Sequence, residues 1–206
     1  MSGPSLSTQA HRLQATGRTK NLPALIYLTD PVRFPDPRAA VLTLPRGAAV
    51  ILRHYGSPGR EALARALLAI CRRRGLKLLI AGDPGLALRL RADGVHWPEA
   101  LVRPRARLLP WLVTAAAHSC TGLVNARRCR VDAALLSPVF ATGSGPGKRP
   151  LGLMRFTALA TSTPLPVYAL GGIDAATAGR LRSSGAAGLA AISGLTGVAS
   201  EGATTL

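Results

Sequence analysis

Eight short apolar runs alternate with amphipathic stretches between Ala24 and Ser193, and this alternation restricts the chain more than any other feature. The runs are Ala24–Asp30, Gly47–Tyr55, Lys77–Asp83, Gly94–Trp97, Trp111–Ala117, Ala133–Val139, Pro166–Gly171 and Ala186–Ser193. Helices are predicted between them over Gly59–Gly75, Pro84–Ala92, about His118–Arg130, Gly152–Ser162 and Asp174–Ser183. In the first of these, Leu63, Ala66, Leu67 and Ile70 share one face, and Arg72, Arg73 and Arg74 precede a glycine stop, where cations complement the helix dipole. The first crossover, Pro31–Arg46, also contains Pro35, Pro37 and Pro45 and should form only an imperfect helix. Strands joined throughout by crossovers make an all-parallel sheet, and eight is the number that closes. The predicted fold is therefore α/β, a single (β/α)8 TIM barrel over residues 24–195. A polar N-terminal extension (1–23) precedes it and a short tail (196–206) follows. An open doubly wound sheet would carry a glycine-rich turn after its first strand, and LTDPVRFPD is not one.

The 206 residues carry 26 Lys and Arg against 9 Asp and Glu, a formal charge of +17. Only Lys20, Lys77 and Lys148 are lysines, and the arginines are scattered from Arg12 to Arg182. A nucleic-acid surface would gather its cations and interleave aromatics, whereas aromatics are 4% here. The charge is read as arginine on outer helix faces, and nucleic acid is not the expected partner. Cys71, Cys120 and Cys129 are odd in number and lack metal-ligand spacing, so neither a disulfide framework nor a zinc site is expected. Residues 1–23 lack the apolar core of a secretory signal, and no run approaches the ~20 apolar residues of a membrane span. A cytosolic chain is expected, with oligomeric state open and a homo-oligomer compatible.

In such barrels function collects in the loops after the strands. That filter selects Asp30; Arg53, His54 and Tyr55; Asp83; His96; His118; the loop Phe140–Leu151; Gly171 and Gly172; and Ser193. ALGGID joins the seventh strand to a helix through Gly171 and Gly172, and AAISG offers a second turn at Ile192 and Ser193. Paired turns of this kind suit a phosphate, because backbone N–H groups approach the anion closely. The loop ATGSGPGKRPLG adds Lys148 and Arg149 as candidate anion contacts, with Arg53 on the second strand. His54, His96 and His118 have the chemistry of neutral-pH acid–base groups. No pair of them has i, i+4 spacing, so no metal site is read.

In order, IYLTD, ILR, ADGVH, the stretch ending AHS, LLSPVFAT followed by PLG, ALGGI and GAAGLAAIS resemble the thiamine phosphate synthase/TenI family. The resemblance runs from about Leu25 to Leu195. It implies a (β/α)8 barrel acting on phosphorylated thiazoles. Synthases of the family join hydroxymethylpyrimidine diphosphate to thiazole phosphate, with Mg²⁺ assisting departure of pyrophosphate. The TenI branch shifts a double bond in a thiazole carboxylate phosphate to make the ring aromatic.

Several family positions differ here. The synthase I-N-D motif aligns with Ala81 and Gly82, one residue before Asp83, and G-Q-E-D aligns with Pro98, Glu99, Ala100 and Leu101. Both expected magnesium carboxylates are missing from their places, and a shifted Asp83 is the one substitute in reach. R-x-K keeps Arg53 but has Tyr55 for the lysine; the synthase serine falls near Ala116, and the T-x-T-K lysine on Gly145, three residues before Lys148. The thiazole-phosphate half survives at Gly171, Gly172, Ile192 and Ser193, and His118 falls where the TenI branch keeps its acid–base histidine. The resemblance thus implies a TenI-like barrel that binds a phosphorylated thiazole or thiamine phosphate, with His118 moving protons and no cofactor. The alternatives are an active Mg²⁺-dependent synthase whose diphosphate is held by Arg53, Lys148, Arg149 and Asp83, and a non-catalytic phosphate-ligand or RNA-associated module.

Overall fold

Parallel strands pair in strict sequence order and the last returns to the first, so the sheet is a closed barrel. The strands are β1 (Leu25–Leu28), β2 (Ala49–Leu52), β3 (Lys77–Ala81), β4 (Gly94–Trp97), β5 (Leu112–Ala117), β6 (Ala133–Leu136), β7 (Val167–Leu170) and β8 (Gly188–Ala191). This is the predicted (β/α)8 TIM barrel. The computed structural model describes residues 5–14, 19, 21–104, 110–142 and 149–194. Closure is carried by the β1–β8 register, Leu25 opposite Leu189, Ile26 opposite Ala190 and Tyr27 opposite Ala191.

The barrel interior is filled mainly by small and branched side chains, Ile26, Leu28, Ala49, Ile51, Leu79, Ala81, Leu135 and Ala190 among them. Tyr168 is the large exception; its hydroxyl donates to Pro23 O at 2.5 Å, which satisfies a buried polar group. Leu25, Tyr27, Val50, Leu52, Leu78 and Ile80 belong instead to the shell beneath the helices. Neighbouring residues of one strand thus serve two cores, the period-2 consequence of a pleat buried on both sides.

The helices are α1 (Leu6–Gln14), α2 (Arg38–Thr43), α3 (Arg60–Arg74), α4 (Pro84–Leu90), α5 (Cys120–Arg128) and α6 (Gly152–Thr161). In α3 the predicted arginine run occupies the last turn, before the Gly75 cap. There Arg74 donates to Leu44 O at 3.1 Å and Arg72 to Arg91 O at 3.4 Å. The proline-rich first crossover retains only the six-residue α2.

Two regions depart from expectation. The helix predicted over Asp174–Ser183 is reduced to a 3₁₀ turn, Ala178–Leu181. Asp174 Oδ1 accepts from Ala176 N and Thr177 N at 2.9 and 2.8 Å, so a local turn takes the donors that a helix would use. At the other end, the segment expected to be a polar extension contains α1. Leu6, Ala10 and Leu13 are buried, and α1 packs against β8, β1 and the 178–181 turn. Gln9 Nε2 donates to Ala175 O at 2.9 Å. The N-terminal helix therefore covers the barrel seam between its last strand and its first.

Candidate functional site

Every β-strand of the barrel points its C-terminal end at one mouth, and a cavity of about 370 Å³ opens there. It is bounded by Leu28, Arg53, His96, Glu99, His118 and Ile192, with Tyr55, Ser137, Thr142 and Gly171 among the other wall residues. A second cavity, of about 410 Å³, lies outside the barrel wall against Val95, Trp97, Trp111 and Val113 and is lined by no histidine or carboxylate.

His118 stands between β5 and α5. Ser119 caps that helix, its Oγ accepting from Gly122 N at 3.1 Å, so the helix starts at Cys120 and His118 stays at the strand end. Its Nδ1 lies 2.8 Å from Ser137 O. A carbonyl only accepts, which assigns the proton to Nδ1 and leaves the lone pair on Nε2. Among the described residues Nε2 has no hydrogen-bond partner, and His118 lines the cavity.

The other two histidines separate. His54 is buried, with Nδ1 3.0 Å from Thr29 Oγ1 and Nε2 3.1 Å from Pro35 O. Thr29 Oγ1 also accepts from Arg53 N at 2.9 Å, so His54 ties the loops after β1 and β2 together and sets the backbone of Arg53. His96 lies on the cavity floor, its Nδ1 2.9 Å from Thr114 Oγ1. Burial, reinforced by the Arg53 charge, pushes its imidazole down to about 3. His96 is therefore a neutral ring at physiological pH.

Gly171 and Gly172 have φ of +93° and +65°. A Cβ on Gly171 would sit 2.8 Å from Pro138 Cα, and one on Gly172 2.5 Å from Ala141 O. Both the conformation and the close approach exclude a side chain. Hydrogen bonds from Val139 N to Leu170 O at 2.9 Å and from Phe140 N to Gly171 O at 3.0 Å stitch the loop after β6 to this turn. Arg180 stacks on Phe140 with its guanidinium 4.6 Å from the ring centroid. Ile192 borders the cavity and Ser193 follows it, half-buried. Of the candidate anion contacts, Arg53 borders the cavity, Arg149 is exposed, and Lys148 lies outside the described residues, as does Gly145.

The sector formed by β2, β3 and β4 differs in character. Asp83 caps α4, Oδ1 accepting from Leu86 N at 2.8 Å, while Oδ2 lies 3.5 Å from Arg60 Nη1. Arg60 Nη2 donates to Ala81 O at 2.6 Å and its guanidinium lies 5.6 Å from the centroid of the Tyr55 ring. That ring covers Gly82, where a Cβ would be 3.3 Å from Tyr55 Cε1 and 3.9 Å from Pro98 Cδ. A magnesium ion needs several hard oxygen ligands at one point. Of the two carboxylates after β3 and β4, Asp83 is engaged by a helix cap and an arginine and Glu99 accepts from His118 N, and no group of three His, Cys, Asp or Glu among the described residues could hold a metal. Bonded in this way, the two carboxylates do not form a magnesium site of their own.

Glu99 was not singled out from the sequence as a site residue. It opens a 3₁₀ turn after β4, Glu99–Leu101, and borders the cavity. Its Oε1 accepts from His118 N at 3.3 Å. A Cβ on Gly122 would fall 1.9 Å from that oxygen, so the glycine leaves room for the carboxylate against the first turn of α5. Its position after a barrel strand was the available signal.

A sequence profile described as thiamine monophosphate synthase matches residues 39–195, most of the chain. The chain belongs to the thiamine monophosphate synthase family. A thiamine-phosphate synthase of Chlorobium luteolum is 37% identical over 185 residues, covering 84% of this chain and 85% of that one. A thiamine-phosphate synthase of Thioalkalivibrio sulfidiphilus is 32% identical over 174 residues, covering 80% and 82%. Among solved structures, a thiamine phosphate pyrophosphorylase from Pyrococcus furiosus superposes with a TM-score of 0.67 at 22% identity, over 88% of this chain and 90% of that one. At that identity the likeness speaks for the fold. Membership of the thiamine monophosphate synthase family places this chain in thiamine biosynthesis, and no helix among the described residues is long and apolar enough to cross a membrane.

Proposed function

We propose that this family member is a TenI-like enzyme of the thiazole tautomerase type, acting on a phosphorylated thiazole with His118 as the group that moves the proton. The observation that carries this reading is the hydrogen bond of 2.8 Å from His118 Nδ1 to Ser137 O. It holds the ring in one tautomer with a basic Nε2 at the cavity, and proton transfer between carbons needs such a base and no metal. In this reading the ligand's phosphate lies at Gly171, Gly172, Ile192 and Ser193. Arg53 receives the second negative group of a thiazole carboxylate, and Arg149 and Lys148 are outer anion contacts. The sector of Tyr55, Gly82 and Asp83 supports it from the other side. An aromatic ring occupies the wall where positioned cations and metal would stabilise a departing diphosphate, and no step is routed through Mg²⁺.

A second reading, an active thiamine phosphate synthase, is favoured by the names of relatives at 32–37% identity and by the retained Arg53. A thermal-shift series separates the two. Thiazole phosphate and thiamine phosphate should raise Tm with or without EDTA, and hydroxymethylpyrimidine diphosphate with Mg²⁺ should not. Stabilisation by the pyrimidine diphosphate only when Mg²⁺ is present, with release of pyrophosphate on adding thiazole phosphate, would replace the first reading with the second. No response to any of these ligands would leave the non-catalytic module.

A further inference from the structure

Charge is divided between the two ends of the barrel. Asp30, Asp36, Glu61, Asp83, Glu99 and Asp174 all lie at the mouth end, in the loops after strands or in the first turn of the helix that follows. The ion pairs of Arg33, Arg38, Arg60, Arg65 and Arg89 all use acids from this group. At the opposite end Asp93 and Asp132 are the acids among the described residues. Each already accepts from a strand N–H, Asp93 from Leu78 N and Asp132 from Val113 N, both at 2.8 Å.

Cations crowd that end. Arg72, Arg73 and Arg74 finish α3, Arg127 and Arg128 finish α5, and Arg130 follows α5 closely. Arg46 and Arg91 stand in the turns entering β2 and β4, and Lys77 opens β3. All of these except Lys77 are exposed, and among the described residues none is in an ion pair. Gly47 N donates to Gly75 O at 2.9 Å, Arg72 reaches Arg91 O, Leu112 N donates to Asp93 O at 2.9 Å and Asp132 N to Val113 O at 2.7 Å. The entries of β2 to β6 therefore form one continuous arc, and cations scattered along the chain are gathered in space.

We infer that this face, opposite the mouth, binds the phosphate backbone of duplex nucleic acid without reading its sequence. Arg72 and Arg74 are engaged by carbonyl oxygens. Arg73, Arg127, Arg128 and Arg130 donate no side-chain hydrogen bond among the described residues, which leaves four guanidinium forks of the shape that matches phosphate. Single-stranded nucleic acid would need successive rings to stack on, and Trp111 is the one aromatic of these strand entries, half-buried. A protein interface centres on aromatic or apolar anchors, and the exposed large apolar side chains here are the separate Leu42 and Leu88. Charge without rings or anchors suits a backbone of dense phosphates. The face lies apart from the mouth, whatever ligand the mouth takes.

The test is fluorescence anisotropy of the full chain on a labelled duplex of about 20 base pairs and arbitrary sequence. With about four to six phosphates neutralised, affinity should fall about 10²–10³-fold between 50 and 200 mM NaCl. The combined Arg73→Gln, Arg127→Gln, Arg128→Gln and Arg130→Gln variant should bind about ten-fold or more weakly at 100 mM NaCl and flatten the salt slope. Lysine at the same four positions keeps the charge and should retain affinity within about five-fold. Arg33→Gln, Arg38→Gln, Arg65→Gln and Arg89→Gln together remove equal charge near the mouth and should change affinity less than about three-fold. A parent chain that leaves the duplex free at 50 mM NaCl and about 100 μM protein would overturn the inference. Equal losses in the two glutamine variants would do the same, since net charge and not this face would then be the cause. So would tighter binding to a single strand of the same length, to anionic lipid vesicles or to polyglutamate, the last two assigning the face to a membrane or an acidic protein.

Discussion

At the scale of single residues, the site is decided by what each polar group is already bonded to. Three histidines stand at the C-terminal ends of barrel strands, His96 within β4 and His54 and His118 just after β2 and β5, and their chemical type is identical. Thr29 and Pro35 occupy both nitrogens of His54, while His96 and His118 each bond through Nδ1 at the cavity; burial keeps His96 neutral, and His118 is only half-buried. His96 makes a prediction about pH. Its folded value is about 3 against 6.5 for an ordinary imidazole, so between those limits the unfolded chain binds a proton that the folded chain refuses. The stability associated with neutral His96 is complete above about 6.5 and is lost as pH falls towards about 3. Calorimetry should show Tm falling between about pH 6.5 and pH 5, above the range where ordinary carboxylates titrate, and His96→Asn should flatten that slope. Gly172 gives a second test. Gly172→Ala meets Ala141 O and a positive φ together, which should cost about 1–3 kcal/mol in chemical denaturation and weaken thiazole phosphate binding.

Whole elements show which sequence signals were readable. The strand and helix runs from Gly59 to Trp97 appear almost as the pattern predicts, because Gly75 and the Asp83–Pro84 pair mark element ends chemically. The helix α1 was hidden by its polar neighbours, although Leu6, Ala10 and Leu13 recur at i, i+4 and i+7. Burial of that stripe against β8 and β1 makes it part of the fold. Leu13→Ala should destabilise the chain by about 2–5 kcal/mol, read as a lower midpoint in urea, and removal of residues 1–20 should lower Tm further. The reverse error, a helix expected after Asp174, has a local cause. Thr177 Oγ1 donates to Gly172 O at 2.8 Å and Asp174 holds the next N–H groups, so the segment serves the glycine turn rather than a helix.

For the whole molecule, charge and mouth lie apart. In a parallel barrel the helix C-termini gather on the face opposite the site, and that is where the basic last turns, Arg72–Arg74 of α3 and Arg127–Arg128 of α5, sit. Strands of four to six residues put about 13–20 Å between the two faces, beyond the ~8 Å screening length of physiological salt. Exchanging Arg72, Arg73 and Arg74 together for glutamine should leave thiazole phosphate affinity within about three-fold in calorimetric titration at such salt. Arg53→Gln, at the cavity wall, should weaken it about ten-fold or more. Five of the 26 cations behind the +17 charge thus sit in helix last turns on the face opposite the mouth.

The sequence by itself determined the barrel, since eight apolar runs with crossovers have few ways to bury both faces of every strand. It also marked the turn after β7, because only glycine at Gly171 and Gly172 permits that backbone against the loop after β6. Tertiary structure decided the rest, because hydrogen bonds and exposure depend on what lies across space. Ser137, 19 residues beyond His118, fixes that ring. Arg60 and a helix cap engage Asp83. Glu99 becomes part of the site through a backbone N–H and a missing side chain on a neighbouring helix, contacts that no local pattern of residues records.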